Sequence, residues 1–418
     1  MFNVSREFAP PFSLIAPYFW LGSLFFLIAG ATLPFMDFPT THQAIGLVAW
    51  AHLFLLGFVM MIIFGAMAQL VPVVLEVGHF SVDFYYLIWP ILSLGTIGMV
   101  IGFIASPGLL PYGGLLVLTA MLIFLTETLL TLRRVERMSL TIKTVAVTNL
   151  FLLLGIGVGF MMALGIGVGA AVDIPRWLGA HVVLVLGGYV TLTIMGMSLV
   201  LLPMFGLSHG FDERPIERSF TIMTGAVASY LAATIIDLSM IRWLALAAMF
   251  IAQGLYLYQI WLIYKTRARK ENDIWFKSMV FGYGSLLVAL ILALLGWIIP
   301  QADRLPLAAG WFLILGFFTF LITGHLYKII PFLVWFERYS PLVGKKKVPM
   351  LADMVPVKMA DYQFIFTAGG VVLGGLGLIV QSETCFKAGG SFIAAGALFL
   401  VMSVRYMMNF GKEENDNG

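Results

Sequence analysis

Residues 57–72 have the sequence GFVMMIIFGAMAQLVP, in which two glycines and a proline follow the spacing Gly-x7-Gly-x6-Pro. The same spacing occurs as GYVTLTIMGMSLVLLP at residues 188–203 and as GFFTFLITGHLYKIIP at residues 316–331. An aromatic residue follows the first glycine each time, as Phe58, Tyr189 and Phe317. Internal similarity at a fixed period is the signature of a repeated structural unit. We call the helices that contain this spacing the motif helices.

The composition of the chain is that of a membrane protein. Of the 418 residues, 61% are hydrophobic and 11% are charged, whereas a soluble domain has about 25% charged residues. Apolar segments long enough to cross a bilayer as helices recur along the chain. We predict about twelve spans, at residues 13–35, 43–75, 84–106, 110–133, 144–172, 178–206, 217–238, 241–265, 275–299, 308–338, 361–381 and 386–409. The sequence therefore predicts an all-α integral membrane protein and excludes a soluble enzyme.

Positive charge collects in three of the predicted loops. These loops contain Arg133, Arg134, Arg137 and Lys143; Lys265, Arg267, Arg269 and Lys270; and Arg338, Lys345, Lys346 and Lys347. By the positive-inside rule these loops are cytoplasmic, so we expect both termini on the cytoplasmic side of the inner (cytoplasmic) membrane. The first span follows Arg6 and Glu7 without a small-residue cleavage site, so we expect a retained helix. The net charge of +3 indicates contact with lipid headgroups and not with nucleic acid.

The motif helices are spans two, six and ten, which lie about 130 residues apart. Each repeat therefore contains four helices with the motif helix second, and the repeats cover residues 13–133, 144–265 and 275–409 of a single transmembrane domain. This order predicts a ring of helices with pseudo-threefold symmetry. The motif glycines permit either close helix packing or room for a flat ligand. Two Gly-Ile-Gly-Val-Gly runs, at residues 155–159 and 165–169, are predicted to be packing surfaces.

Two histidines inside the predicted membrane are candidate metal ligands. His52 lies five residues before the first glycine of its motif and His181 lies seven residues before its own, so we expect similar depths, facing the ring interior. Trp311 and Ala309 occupy these two positions in the third motif helix. Neutral imidazole is a common ligand of heme iron, copper and zinc. The alternative is that each histidine hydrogen-bonds a neighbouring carbonyl or hydroxyl group.

A second polar group is expected near the cytoplasmic end of span ten. It consists of His325, Tyr327 and Lys328, although a lysine near a helix end often only extends its ammonium group toward the membrane surface. His42, His79 and His209 fall in or beside loops, where we predict solvated side chains. Glu127, Asp237 and Gln69 are further polar residues within or at the ends of spans, and no spacing connects them.

The segments around the motif resemble a known family. Residues 51–72 resemble the histidine-bearing helices of subunit I of heme-copper oxidases and nitric oxide reductases, and residues 316–331 resemble the tenth helix of the C-type oxidases. The pattern is also similar to the NnrS family of heme- and copper-containing membrane proteins. The resemblance implies twelve spans, internal termini, threefold symmetry and a heme, with His52 at the position of the low-spin heme ligand.

The same resemblance identifies ligands that the chain lacks. Trp311 stands where the second low-spin heme ligand is expected, Ala309 stands where the high-spin heme ligand is expected, and residues 219–237 contain no histidine for copper. A conventional oxygen or nitric oxide reductase centre is therefore not expected. What remains is a b-type heme, or copper, bound by His52 and His181 near Trp311. The single cysteine excludes covalent attachment of heme through two thiols, so the heme is expected to be noncovalent.

Three functions from different classes agree with the sequence. The leading hypothesis is a heme-binding membrane protein that transfers electrons or handles nitric oxide or oxygen, with a redox partner or other respiratory subunits. The second is a cofactor-free structural or assembly subunit of a respiratory complex. The third is a transporter of a small solute or metal, with His325, Tyr327 and Lys328 along its path.

Overall fold

The computed structural model describes residues 10–39, 41, 44–299, 301–302 and 304–411, and this part of the chain consists of helices and loops without β-strands. The long helices of the described residues are α1 Phe12–Phe35, α2 Ile45–Leu75, α3 Asp83–Ile104, α4 Pro107–Leu132, α5 Leu140–Val168, α6 Ile174–Gly206, α7 Arg214–Ile235, α8 Ser239–Lys265, α9 Ile274–Ile298, α10 Arg304–Arg338, α11 Val357–Ile379 and α12 Glu383–Asn409. The all-α fold class is confirmed, and the predicted bounds agree within a few residues.

Eleven of these helices are long and apolar enough to cross a membrane. The exception among the described helices is α7, because Arg214, Glu217 and Arg218 lie within its first five positions and shorten its apolar part. The protein is therefore an all-α, multi-pass membrane protein. The seventh predicted span forms a helix that does not qualify as a crossing by length and composition.

The chain forms two compact units. The middle unit contains residues 68–270, and the terminal unit combines residues 10–67 with the described part of residues 271–418. The helix α2 begins in the terminal unit and ends in the middle unit. His181 therefore belongs to the middle unit, whereas His52 belongs to the terminal unit.

Neighbouring helices within each unit approach one another closely at glycines. In the middle unit, a Cβ built on Gly95 of α3 would lie 2.8 Å from the backbone nitrogen of Val117 in α4. In the terminal unit, a Cβ on Gly370 of α11 would lie 2.7 Å from the carbonyl oxygen of Gly389 in α12. Real Cβ contacts are longer, so only glycine permits these helix pairs to pack so closely.

The contact between α7 and α8 is made by hydrogen bonds and not by close packing at glycines. The Ser219 hydroxyl donates to the carbonyl of Ala252 at 2.7 Å, and the backbone nitrogen of Ile216 donates to Gln259 Oε1 at 3.3 Å. All four residues are buried. A polar helix such as α7 thus obtains its contact with α8 from polar groups.

Each motif helix contains a π-helical segment around its first motif glycine. The segments are Leu55–Met60 in α2, Val183–Thr191 in α6 and Phe312–Phe318 in α10. A π-helical turn closes its hydrogen bonds over five residues and shifts the positions of the residues on either side. Such segments are rare and frequently lie at functional sites. The three motif helices therefore share a local backbone structure as well as a sequence spacing.

The motif glycines pack against the helix that precedes each motif helix in the chain. We built a Cβ on each glycine and identified the nearest atoms. On α1, Phe25 faces Gly57 and Tyr18 faces Gly65; on α5, Phe151 faces Gly188 and Thr144 faces Gly196. On α9, Ser285 faces Gly316, and Met279 and Ser278 face Gly324. The closest distance ranges from 2.5 Å at Gly57 to 2.8 Å at Gly188. In each preceding helix, one residue that faces the first glycine and one that faces the second are seven residues apart: Phe25 and Tyr18, Phe151 and Thr144, and Ser285 and Ser278.

This shared register explains why the spacing requires glycine. Any side chain at these six positions would overlap with the facing helix, as the distance of 2.5 Å from a Cβ on Gly316 to Ser285 Cβ illustrates. Of the two interpretations of the motif glycines, close helix packing is the one that the structure supports. The faces of the motif helices at these glycines leave no room for a flat ligand.

Replacing Gly188 with alanine should destabilise the protein, because the new Cβ would overlap with Phe151 and overpacking costs about 1–3 kcal/mol. The adjacent Gly187 is a matched control, since a Cβ there would meet Met223 Cε at 3.4 Å. We expect Gly188→Ala, and not Gly187→Ala, to lower the melting temperature of the detergent-solubilised protein. Equal melting temperatures for the two variants would contradict close packing at Gly188.

Candidate functional site

His52 lies on α2, three residues before the π-helical segment of that helix. Its Nδ1 lies 2.8 Å from the carbonyl oxygen of Val48, one turn earlier in the same helix. A carbonyl only accepts hydrogen bonds, so Nδ1 donates and the neutral imidazole carries its lone pair on Nε2. A histidine that binds a metal through Nε2 is typically fixed by this kind of hydrogen bond. The geometry of His52 is compatible with an axial ligand of heme, and His325 makes the same hydrogen bond, from Nδ1 to the carbonyl oxygen of Leu321 at 2.7 Å.

His181 on α6 is seated against α5 within the middle unit. Its Nδ1 donates to the carbonyl oxygen of Gly155 at 2.9 Å. A Cβ built on Gly159 would lie 2.7 Å from Cε1 of the imidazole, so glycine is required there as well. The predicted packing surface at residues 155–159 thus packs against this histidine.

A tryptophan makes the equivalent hydrogen bond in α2. Trp50, which lies seven residues before Gly57, donates from Nε1 to the carbonyl oxygen of Ala29 on α1 at 2.9 Å. Ala29 lies four residues after Phe25, and Gly155 lies four residues after Phe151, so the two accepting carbonyls occupy the same place relative to the motif glycines. Since the indole of Trp50 fills this position in α2, the hydrogen bond of His181 has a structural role whether or not it binds a metal.

Trp311 of α10 is buried with 8% of its surface exposed. Its indole Nε1 donates to the carbonyl oxygen of Val371 in α11 at 2.8 Å, and its ring lies 5.4 Å from the ring of Phe386. Trp311 and His52 both belong to the terminal unit, and His181 belongs to the middle unit. The metal ligation predicted for His52 and His181 stays a prediction.

Two members of the predicted inner polar cluster meet at one side chain of α9. The ring of His325 packs edge-on against the ring of Trp275 at 6.3 Å, and the Lys328 ammonium lies 6.0 Å above the same ring. Lys328 also pairs with Asp273 Oδ2 at 2.6 Å, so it forms an ion pair and does not simply extend into solvent. Tyr327 is buried on a different face of α10.

His79 forms the most extensive buried polar network around a histidine in the described residues, and its predicted solvated role is wrong. Its side chain is 1% exposed, and its Nδ1 lies 2.9 Å from Oε1 of Glu127, whose side chain is 0% exposed. The same carboxylate accepts from the Thr131 hydroxyl at 2.7 Å, from the backbone nitrogen of Phe80 at 3.2 Å and from the Tyr85 hydroxyl at 3.3 Å. His209 is exposed as predicted, and His42 lies outside the described residues.

The second nitrogen of His79 satisfies a carbonyl that a proline leaves without its helical partner. Pro72 has no N–H group, so the carbonyl of Ala68 four residues earlier loses its usual donor. His79 Nε2 donates to this oxygen at 2.6 Å. Because Nε2 must donate, the hydrogen bond between Nδ1 and Glu127 contains one shared proton. The pair is electrically neutral as a whole whichever of the two atoms holds that proton.

No protein-family model and no curated protein matches the chain. Within the residues that the structure describes, no three histidine, cysteine, aspartate or glutamate side chains come together to hold a metal ion.

Removing either partner of the His79–Glu127 pair should destabilise the protein by about 3–5 kcal/mol, because the other partner is left buried and unpaired. The two losses should not add in the double variant, where about 0.5–3 kcal/mol of coupling is expected. The measurement is a double-mutant cycle of melting temperatures with His79→Ala and Glu127→Ala. Exposed Glu136 provides the control Glu136→Ala, and additive losses would show that the pair is not coupled.

Proposed function

We propose that this protein is a heme-binding membrane protein of the heme-copper oxidase subunit I type, in which His52 is an axial ligand of a noncovalent b-type heme. The observation that supports this most directly is the hydrogen bond from His52 Nδ1 to Val48, which fixes the tautomer with its lone pair on Nε2, the atom that ligates iron. When bound, the heme supplies one-electron exchange or a site for nitric oxide or oxygen. The residues supply its orientation and an apolar surrounding.

We further propose that the fold consists of three four-helix repeats with pseudo-threefold symmetry. The shared π-helical segments and the shared seven-residue register of the motif glycines support this proposal. In this arrangement α7 also crosses the membrane, which makes twelve crossings, and its buried hydrogen bonds hold it to α8. We also propose that both termini lie in the cytoplasm and that the protein lies in the inner membrane, because the positive-inside rule makes the basic loops cytoplasmic. Residues 1–9 and 412–418 lie outside the described residues.

The two candidate ligands are not equally well supported. The hydrogen bond from His52 Nδ1 stays within its own helix, so it does not join two helices. The hydrogen bond of His181 joins α6 to α5, as that of Trp50 joins α2 to α1. We therefore propose His52 as the main ligand and His181 as the second candidate. Copper is the alternative metal for the same imidazoles.

The test is the optical spectrum of the detergent-purified protein, oxidised and then reduced with dithionite, with metal analysis on the same sample. We expect sharp reduced bands with stoichiometric iron, lost in His52→Ala. The exposed His209 gives the control variant His209→Ala, which should keep the full spectrum. His181→Ala, measured beside them, shows whether the second histidine contributes.

A colourless protein without stoichiometric iron or copper would overturn the proposal, and so would an unchanged spectrum in His52→Ala. A colourless protein would then favour the transporter, because His325, Lys328 and Asp273 form a polar group within the terminal unit. Such a transporter should lose flux in reconstituted vesicles when His325 is replaced by alanine.

A further inference from the structure

The terminal unit has a cavity of about 170 Å³ at one end of its helices. Its walls come from three segments: Phe38 and Pro39 after α1, Gln301, Arg304 and Leu307 at the start of α10, and Leu378 and Gln381 at the end of α11. A cavity for a drug-sized ligand or cofactor is typically about 300–1,000 Å³. The space therefore suits a single small chemical group and not a heme.

The polar groups at the rim of this cavity are all able to donate hydrogen bonds. Arg304, Gln301 and Gln381 are exposed there, and they present a guanidinium and two amide groups. The described residues that line the cavity include no aspartate or glutamate. A guanidinium has five N–H donors in a planar fork that matches the oxygens of phosphate or carboxylate.

The floor of the cavity is apolar. Leu378 and Pro39 are buried, and Leu307 and Phe38 are half-buried. One cationic donor and two amide donors above an apolar floor fit a ligand with an oxyanion at one end and a hydrocarbon next to it. The charge of Arg304 and the position at the end of membrane helices both point to this class of ligand.

The backbone of Gln381 ends α11 in a left-handed conformation. Its φ is 57°, and Glu76, Leu207 and Asp237, which follow the ends of other helices, also have a positive φ. A side chain in this conformation costs roughly 1 kcal/mol compared with glycine. Glycine would end the helix at lower cost, but it would remove one amide donor from the rim.

We propose that the cavity bounded by Arg304, Gln301, Gln381 and Leu378 binds a phosphate group, supplied either by the headgroup of an anionic phospholipid or by free inorganic phosphate. The guanidinium of Arg304 pairs with the phosphate oxygens, and the amides of Gln301 and Gln381 donate to the remaining ones. The apolar floor contacts the carbon atoms next to the phosphate when it belongs to a lipid. This site does not depend on heme binding.

The test measures the melting temperature of the detergent-purified protein with three added probes: phosphatidylglycerol, inorganic phosphate and diacylglycerol, which has the same chains without phosphate. We expect phosphatidylglycerol, inorganic phosphate or both to raise the melting temperature in a saturable way, with diacylglycerol ineffective. A rise with phosphatidylglycerol alone identifies the lipid as the source, and a rise with inorganic phosphate identifies a free oxyanion. No rise with either probe would overturn the proposal.

Variants separate a binding role from a structural one. Arg304→Gln should weaken the response at least tenfold in half-maximal concentration, whereas Arg405→Gln, at an exposed arginine of α12 outside the cavity, should leave it unchanged. Gln381→Gly should raise the melting temperature without probe, because the strain is relieved, and yet weaken the response to phosphate. A purely structural Gln381 would leave the response intact, and an unchanged response in Arg304→Gln would contradict the site.

Discussion

The close contact between each motif helix and the helix before it in the chain is the constraint on which the rest of the structure depends. Lipid chains are as apolar as leucine side chains, so helices in a membrane associate through packing and hydrogen bonds and gain little from apolar burial. Glycine at the contact points brings the two backbones together. Only at this short separation do Trp50 and His181 reach the carbonyls of Ala29 and Gly155, each at 2.9 Å.

The proline at the end of the motif creates a second requirement. In hydrocarbon every backbone polar group needs a partner within the protein, and an unsatisfied carbonyl costs several kcal/mol. In α2 this partner is His79, which then directs its other nitrogen to Glu127. Gly210 and Arg338 stand seven residues after the prolines of the other two motif helices, so the same solution does not recur there. The buried His79–Glu127 pair thus has a sufficient explanation in backbone hydrogen bonding.

Much of the fold follows from local sequence features. Apolar length alone predicts the helices, and the glycine and proline spacing alone identifies the three motif helices. The helix α7 is rich in small and hydroxyl-bearing residues, and its first turns contain Arg214, Glu217 and Arg218. Together these residues lower the apolar character of the helix, which is why the predicted seventh span does not meet the criterion of length and composition.

The polar partners are not predictable in the same way. Glu127 lies 48 residues from His79 in the sequence, and helix periodicity does not report contacts over such separations. The position of His79 in a loop suggests solvent, whereas the missing donor at Pro72 is the one available signal for a buried partner. The position of the His181 side chain likewise depends on Gly155 and Gly159 in another helix. The sequence indicates that those glycines form a packing surface, but it does not identify the residue that packs there.

The hydrogen bonds of the histidines separate His79 from His52, His181 and His325, which each use Nδ1 on a backbone carbonyl. His79 uses both ring nitrogens within the protein, through Ala68 and Glu127, so no nitrogen of this residue is left to bind a metal. His52 and His181 each use Nδ1 on a carbonyl, which fixes the same tautomer in both. The anchor of His52 is a turn of its own helix, so it survives movement of neighbouring helices, whereas the anchor of His181 requires α5 to stay in place. An axial ligand must keep its orientation when the cofactor enters, and that requirement favours His52 over His181.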